Sequence, residues 1–294
     1  MGRERVVAQT VLTSRPLECD PPPPEVTDAL VTGREALLRE VCLLNGGVEP
    51  SNTELAEARQ RLAVLATSAD RVGVSFAGAP VHYAYFDSKF VLRGTLVFQT
   101  LRQLQLEHPG AVGLLLSTQR SVHIASMGGG PGTDVAGVAG FVAHTRSRCA
   151  VEVTLYDRER SWRRYLACLQ RIMENQLHLS FEPCDVRFGC SAPAEVHDTD
   201  AFSHPNKQLA AKAQSTDVFL FSFVANETAC AALASGWAFY HDLARLAPVG
   251  ALFIFLDVRH HSAPVLDAIC AAVSLKPLVL SRSAAAETRV LVKA

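Results

Sequence analysis

From residue 111 to the C-terminus, short apolar runs alternate with longer amphipathic ones, and this alternation constrains the fold more than any other feature of the sequence. Runs that are apolar at nearly every position are typical of strands buried on both faces, as in a parallel sheet covered by helices. We expect strands at 121–127, 150–157, 177–185, 217–227 and 251–258, of which 217–227 includes the exit loop of its strand. We expect helices between them at 135–146, 161–176, 232–247 and 263–274.

The last two apolar runs, PLVLSRS and TRVLVKA, are separated by a few residues only. A parallel connection needs a crossover of about a dozen residues, whereas a short turn joins antiparallel strands. The sequence therefore predicts an α/β domain over residues 111–294, with an open, mostly parallel sheet of seven strands that closes in an antiparallel C-terminal hairpin.

The first 110 residues have a different pattern, with apolar residues at helical spacing. Residues 1–26, which include four consecutive prolines from Pro21, are predicted to form a disordered or extended tail. Residues 27–110 are predicted to form a helical N-terminal cap. Ser51 and Glu54 have the spacing of a capping box, and Gly94 is expected to interrupt the third helix.

Charge and cysteine usage exclude several classes of protein. The formal charge is −1, which argues against a chain that wraps nucleic acid through a strongly basic surface. No apolar run is long enough to span a membrane, the N-terminus has no signal-like stretch, and the eight cysteines include no CxxC pair. We expect a cytoplasmic or nuclear protein without a membrane partner.

A glycine-rich loop lies between the first strand and the first helix of the predicted sheet, as Met127-Gly128-Gly129-Gly130-Pro131-Gly132-Thr133-Asp134. Glycines permit a tight turn with positive φ and let the backbone approach a ligand without an intervening Cβ. Ligands of open α/β sheets bind beyond the carboxyl ends of the strands. The dinucleotide pattern GxGxxG fails at Thr133 and at Val135, and no Gly-Lys-Ser/Thr follows as in a P-loop.

Two acidic residues end the strands that follow the loop. Asp157 lies 25 residues after Gly132, a separation of one helix and one strand, and its carboxylate is placed to accept hydrogen bonds from ribose hydroxyls. Asp185 ends the next strand, where it is placed to hold an adenine amino group. The alternative for Asp157 is that it caps the helix that begins near Ser161.

This ordered series resembles the S-adenosylmethionine-dependent methyltransferases of the Rossmann-like, seven-stranded class I, over roughly residues 111–294. The resemblance implies S-adenosyl-L-methionine as cofactor and a sheet of that class. It implies cofactor contacts from the glycine loop, from the two strand-end acids and from the fourth strand beside the transferred methyl group. The candidate cofactor-binding residues are Gly128, Gly129, Gly130, Gly132, Asp134, Asp157, Asp185, Ser222 and Phe223.

The exit of the fourth strand supplies the candidate catalytic residues, Asn226 and Glu227, which position or deprotonate a methyl acceptor; the alternative is that they cap the next helix. The exit lacks the Asn/Asp-Pro-Pro-aromatic loop that acts on exocyclic amino groups of bases. Cys184 follows a proline, as in enzymes that attack cytosine with a thiolate, but it lies where cofactor binding is expected and is interpreted as structural.

The acceptor stays open among RNA, protein and small molecules. A cluster of arginines near Trp162 and Tyr165 suits either an RNA-binding face or a solvated helix, and consists of Arg158, Arg160, Arg163, Arg164 and Arg171. No metal is expected, because two groups of polar residues lack the spacing of a zinc site. These groups are His197, Asp198, Asp200 and His204, and Asp257, His260 and His261.

Two alternatives to a methyltransferase enzyme remain at this stage. One is a catalytically inactive methyltransferase-like scaffold or binding subunit that keeps the fold. The other is an NAD-dependent oxidoreductase, which the missing GxGxxG pattern disfavours.

Overall fold

A computed structural model describes residues 15–16, 20–67, 76–117, 120–173, 176–190, 205–258, 262–282 and 286–294. Its helices are α1 Pro24–Leu44, α2 Asn52–Thr67, α3 Ala79–Glu107, α4 Pro109–Leu116, α5 Thr133–His144, α6 Leu166–Ile172, α7 Lys207–Lys212, α8 Ala229–Ala234, α9 Ala238–Leu246 and α10 Ala263–Ala272. Its strands are β1 Arg15–Pro16, β2 Val122–Met127, β3 Val151–Asp157, β4 Leu177–Pro183, β5 Val218–Ser222, β6 Leu252–Val258, β7 Lys276–Arg282 and β8 Ala286–Val292.

All the strands form one sheet in the order β1-β7-β8-β6-β5-β2-β3-β4. Strands β4, β3, β2, β5 and β6 pair in parallel, and β8 lies antiparallel between β6 and β7. The predicted fold class is confirmed: seven strands of the α/β sheet run as the apolar pattern indicates, and the closing pair is antiparallel. The two residues of β1 add a short parallel strand beside β7.

Aromatic side chains on neighbouring strands explain why β5 and β6 adhere. The rings of Phe219 and Phe253 stack with centroids 4.7 Å apart, and those of Phe221 and Phe255 stack at 4.5 Å. All four side chains are buried and point to the face of the sheet that α9 and α10 cover. Burial on this face removes a large aromatic area from water, which stabilises the central pairing.

Helices α1 and α3 pack on the opposite face of the sheet together with α5. Their buried residues and those of the sheet form one continuous apolar core. Helix α1 begins at Pro24, within the segment predicted as tail. The predicted capping box is present, because the Ser51 N–H donates to the Glu54 carboxylate at 2.8 Å and the Glu54 N–H donates to Ser51 Oγ at 3.3 Å.

The expected interruption of the third helix at Gly94 is wrong, since α3 is continuous from Ala79 to Glu107. Gly94 lies where α3 crosses α5: a Cβ on Gly137 of α5 would stand 2.3 Å from the Gly94 carbonyl oxygen. Glycine at both positions therefore permits a close approach of the two backbones. The single glycine lowers the helix propensity of α3 only modestly.

Two other predicted helices are divided. The 161–176 segment forms a 3₁₀ helix at Arg160–Tyr165 and then α6, and the 232–247 segment is split between α8 and α9. Gly236 and Trp237 both have left-handed φ at the second break, which ends an α-helix. None of the helices in the described ranges combines the length and the apolar character that a membrane crossing requires.

Candidate functional site

A cavity opens at the carboxyl ends of β2, β3, β4 and β5, with about 1020 Å³ of empty space including its mouth. Each of these four strand ends contributes wall residues, and α3 closes the opposite side with Tyr85 and Arg93. Ligand sites of open α/β sheets lie at this edge, beside the point where the strand order reverses. Here the reversal falls between β2 and β5.

The glycine loop after β2 forms the floor of this cavity through Gly128 and Gly130. Both have positive φ, 60° and 48°, which a side chain would strain. A Cβ on Gly128 would also stand 2.6 Å from a methyl carbon of Val224. Two other predicted contacts, Gly129 and Gly132, do not line the cavity: Gly129 packs against Ser126, and Gly132 is the N-cap residue of α5.

Asp157, at the end of β3, ties the loop to the neighbouring strand and lines the cavity. One carboxylate oxygen accepts a hydrogen bond from the Gly130 N–H at 2.8 Å, and the other accepts one from the Glu159 N–H at 2.7 Å. Burial raises the pKa of this carboxyl to about 6. The interpretation of Asp157 as a helix cap does not hold, because Glu159 caps the 3₁₀ helix by accepting from the Ser161 N–H.

Asp185 and Cys184 form the wall beyond β4. The Asp185 carboxylate forms an ion pair with the Arg187 guanidinium, which donates to both of its oxygens. The Cys184 thiol is buried, and desolvation raises its pKa well above the ordinary value. A thiol held neutral in this way is a poor nucleophile, in agreement with a structural role for Cys184.

Asp134 has a different environment from the one predicted. Its side chain is fully buried, does not line the cavity, and accepts hydrogen bonds from Ser126 Oγ at 2.7 Å and from the Val135 N–H at 2.9 Å. Desolvation raises the pKa of this carboxyl to about 6. Asp134 therefore holds the end of β2 against the first turn of α5, away from the cavity wall.

The exit of β5 brings Ser222, Phe223 and Glu227 to the cavity wall. Ser222 Oγ is buried and has no hydrogen-bond partner among the described residues. Phe223 has φ 61°, a strained value for an aromatic residue, and its N–H donates to the Leu256 carbonyl at 2.7 Å. Asn226 does not line the cavity, and its N–H donates to the Asp257 carboxylate at 2.8 Å.

Helix α3 supplies the residues that sequence reasoning missed or left without a role. Tyr85 lies in the wall, and Arg93, two turns later, lies beside it. The Arg93 guanidinium donates to the Tyr85 hydroxyl, and its central carbon lies 4.3 Å from the centre of the Phe223 ring. The spacing of Tyr85 and Arg93, which places both on one helix face, was the available signal.

Six of the remaining candidates all lie outside the described residues. These candidates are His197, Asp198, Asp200, His204, His260 and His261. Within the described ranges, no group of three histidine, cysteine or acidic side chains is arranged to hold a metal ion. Of the arginine cluster, Arg158 lines the cavity and Arg171 forms an ion pair with Glu40 at 3.2 Å.

No model of a protein family matches the chain, and no curated protein matches it. Three similar solved structures are methyltransferases by their descriptions. A SAM-dependent methyltransferase from Aquifex aeolicus has 12% identity and a TM-score of 0.41, over 67% of this chain and 97% of the other. The trans-methyltransferase CalH in complex with SAH has 10% identity and a TM-score of 0.44, over 93% of both chains. An O-methyltransferase family 2 protein from Planctomyces limnophilus, in complex with apigenin, has 14% identity and a TM-score of 0.37, over 96% and 99%.

The fold assignment stands on the strand order of this chain. Five parallel strands with the reversal between β2 and β5, closed by an antiparallel strand inserted between β6 and β7, form the open, Rossmann-like sheet that the sequence pattern predicts. This strand order shows the fold and assigns no subfamily.

Proposed function

We propose that this protein binds S-adenosyl-L-methionine and transfers its methyl group to an acceptor. The observation that carries the proposal is the bare main chain of Gly128 and Gly130, which lies beside the Asp157 carboxylate on one cavity floor. This arrangement leaves room for a nucleoside against the backbone and places an anionic acceptor group next to its sugar.

The polar groups of the cavity fit such a ligand. An ionised carboxylate has about four lone-pair positions, and the two backbone hydrogen bonds leave Asp157 with capacity for both ribose hydroxyls. Cys184, Asp185 and Val186 form the wall where an adenine ring extends past the sugar. The Ser222 hydroxyl has no hydrogen-bond partner among the described residues, and the bound ligand supplies one.

The cofactor supplies an electrophilic methyl group on a positively charged sulfur. Gly128, Gly130 and Asp157 would hold this cofactor, whose methyl carbon would be open to displacement by an acceptor lone pair, with the electron pair of the carbon–sulfur bond left on sulfur. The protein contributes mainly alignment, which supplies much of the rate of a displacement. Glu227, in the wall beyond β5, accepts the proton of an acceptor that must lose one. The backbone N–H of Asn226 donates to the Asp257 carboxylate, so Asn226 contributes by fixing the backbone that carries Glu227.

The acceptor class is RNA, protein or a small molecule. Aromatic side chains of Phe76, Tyr85 and Trp162 line one side of the cavity, where a planar or apolar acceptor group packs favourably. Arg158 is the member of the arginine cluster that reaches this wall, so it is the first residue to test for contact with an RNA phosphate.

Isothermal titration with S-adenosylhomocysteine tests cofactor binding, with NADH as the competing ligand. We expect heat from the first and none from the second. Well-folded protein that binds neither would support the inactive scaffold, and binding of NADH alone would support the oxidoreductase.

Transfer is tested by incubating the protein with cofactor labelled with tritium in the methyl group and with fractionated cell extract. Label is expected in one of the RNA, protein and metabolite fractions. Glu227→Gln is expected to lower the transfer rate while leaving the affinity for S-adenosylhomocysteine near that of the wild type. Cofactor binding without label in any fraction would contradict the proposed transfer.

A further inference from the structure

A row of exposed arginines follows β3 beside the cavity. We call it the arginine rim, and it consists of Arg158, Arg160, Arg163 and Arg164. Arg158 lines the cavity itself, and the other three lie on the 3₁₀ helix Arg160–Tyr165. A 3₁₀ helix rises about 2 Å per residue, so Arg160 and Arg164 lie within about 8 Å of each other along its axis. The rim therefore concentrates positive charge at one side of the opening.

Acidic side chains do not pair with the rim. No carboxylate of the described residues lies at ion-pair distance from any of its four guanidinium groups. Glu159, the acid within the segment, is turned to the backbone, where it accepts a hydrogen bond from the Ser161 N–H at 3.1 Å. Exposed arginines elsewhere do have carboxylate partners, namely Arg59, Arg120, Arg171 and Arg245. An excess of one charge without counter-charges attracts ligands of the opposite charge.

Two aromatic residues anchor the rim to α3. Trp162 and Tyr165 alternate with the arginines, and both side chains are buried. The centre of the Trp162 ring lies 4.3 Å from that of the His82 ring, and the Tyr165 hydroxyl lies 2.8 Å from His82 Nδ1. These contacts fix the backbone that carries the arginines, so the rim loses less conformational freedom when it binds a ligand.

The cavity beside the rim suits a planar group. Trp162 lines it together with Phe76, and the centres of the two rings are 5.9 Å apart. Aromatic side chains stack with any nucleic acid base, because every base has a π-face. A base inside a duplex does not reach the floor of such a cavity, whereas a single strand can turn one nucleotide out of its stack. Basic side chains outside and aromatic rings inside are therefore the combination that binds a single-stranded polynucleotide.

We propose that the arginine rim binds the phosphate backbone of a single-stranded nucleic acid, one nucleotide of which enters the cavity as the methyl acceptor. The inference rests on the proposed function, because it names the acceptor class of that same site. The formal charge of −1 describes the whole chain, whereas the rim is a local excess of positive charge. Phosphates accept paired hydrogen bonds from the planar guanidinium fork, and RNA and DNA share this chemistry.

Binding is measured by fluorescence anisotropy with end-labelled oligouridylate and oligodeoxythymidylate of about 12 nucleotides, a length in the range of single-strand binding sites. Each phosphate contact contributes about 0.7 to the slope of log affinity against log salt, so four arginines predict a slope of about −3. The double variant Arg160→Gln/Arg163→Gln is expected to bind about 10-fold more weakly at low salt, with a slope shallower by about 1.4.

The double variant Arg146→Gln/Arg148→Gln is the matched control, because it removes the same charge at the opposite edge of the sheet. Both side chains are exposed in the loop before β3, and the length of β3, roughly 20 Å, separates this loop from the rim. The control is expected to bind both oligonucleotides like the wild type. Neither pair of arginines lines the cavity, so both double variants are expected to keep the wild-type affinity for S-adenosylhomocysteine, which also shows that they are folded.

A second measurement follows tritium from the labelled cofactor into the separated RNA, DNA, protein and metabolite fractions of a cell extract. Label is expected in a nucleic acid fraction, and either RNA or DNA supports the inference and identifies the acceptor. With that purified fraction, Arg160→Gln/Arg163→Gln is expected to raise KM about 10-fold and to leave kcat nearly unchanged, because the rim holds the backbone away from the reacting atoms.

The outcomes separate this inference from the proposed function. Wild-type protein that binds S-adenosylhomocysteine but neither oligonucleotide would overturn the inference and leave the methyltransferase proposal standing. The same holds for wild-type affinity in the rim variant, for equal weakening in the two double variants, and for label confined to the protein or metabolite fraction. Wild-type protein that does not bind S-adenosylhomocysteine would contradict the proposed function itself, and the acceptor assignment would fall with it.

Discussion

The carboxylate of Asp157 accepts a hydrogen bond from the Gly130 N–H over 2.8 Å, which joins the end of β3 to the glycine loop after β2. Two residues far apart in sequence thereby define one ligand-binding floor. The same carboxylate has a second function in the proposed mechanism, because it also accepts from the sugar of the cofactor.

Asp157→Ala is expected to weaken S-adenosylhomocysteine binding by more than about 10-fold, since it removes hydrogen bonds to a charged acceptor. The protein is expected to stay folded with a modestly lower melting temperature, because the Gly130 and Glu159 N–H groups lose their acceptor. Glu152→Ala, at the far end of the same strand, serves as the control and should bind the ligand like the wild type. Equal affinities for wild type and Asp157→Ala would show that the ribose does not bind at Asp157.

Gly130→Arg is expected to abolish most cofactor affinity by placing a long side chain in the cavity. Its Cβ would meet Trp162 Nε1 at 3.7 Å and Asp157 Oδ2 at 3.8 Å, which are ordinary contacts, so the chain still folds. The positive φ adds a cost of roughly 1–2 kcal/mol. Gly46→Arg serves as the control, because Gly46 also has a positive φ but lies in open space. This variant should lose a similar amount of stability, and calorimetry should show that it binds S-adenosylhomocysteine like the wild type.

Cofactor affinity is expected to depend on pH through Asp157, whose pKa is raised to about 6 by burial. The ionised form accepts the ribose hydrogen bonds, so affinity should fall as the pH drops below about 6 and stay level above about 7. Asp157→Asn should bind weakly with no such slope. The buried Asp134, with its pKa also raised to about 6, is present in both proteins and cancels in the comparison. A slope that persists in Asp157→Asn would assign the titration to another group.

His82 on α3 is expected to make stability fall in mild acid. Its ring is fully buried, with Nδ1 at 2.8 Å from the Tyr165 hydroxyl and Nε2 at 3.2 Å from Ser161 Oγ. Desolvation, aided by Arg164, lowers its pKa from 6.5 to about 4. Between these values the unfolded chain binds a proton that the folded chain does not, so the free energy of unfolding decreases as the pH falls.

The measurement for His82 is the difference between wild type and His82→Gln in urea unfolding, at pH near 7 and near 4.5. We expect wild type to lose up to about 3 kcal/mol more than the variant over this range. Using the difference removes the opposite contributions of Asp134 and Asp157, whose raised pKa values favour the folded state as they take up protons. Parallel pH profiles for the two proteins would show that the ring is protonated in the folded state.

Gly137→Ala is expected to destabilise the protein by about 3 kcal/mol or more, because the added Cβ would stand 2.3 Å from the Gly94 carbonyl oxygen and 2.7 Å from Val97 Cβ. Helices α3 and α5 would have to separate. Gly113→Ala in α4, where nothing lies within 4 Å, should instead stabilise by up to about 1 kcal/mol. Chemical denaturation of both variants checks the pair, and similar values for the two would mean that the helices do not cross this closely.

The sequence by itself determined the parallel sheet with its antiparallel closing pair, the glycine loop after β2 and the acids that end β3 and β4. These features follow from local causes, since hydrophobic periodicity sets each element and glycine sets the turn. Alternation of apolar and amphipathic runs then leaves few topologies for the chain.

Tertiary structure alone decided which polar side chains face the cavity. Asp134 and Glu227 are both acids just beyond a strand, yet Ser126 holds Asp134 in the interior while Glu227 lines the wall. Arg93 reaches the site because glycines let α3 cross α5 closely, a contact between residues over forty positions apart. Local pattern carries no information on such long-range packing, so the position of Arg93 in the cavity wall appeared only once the helices were in place.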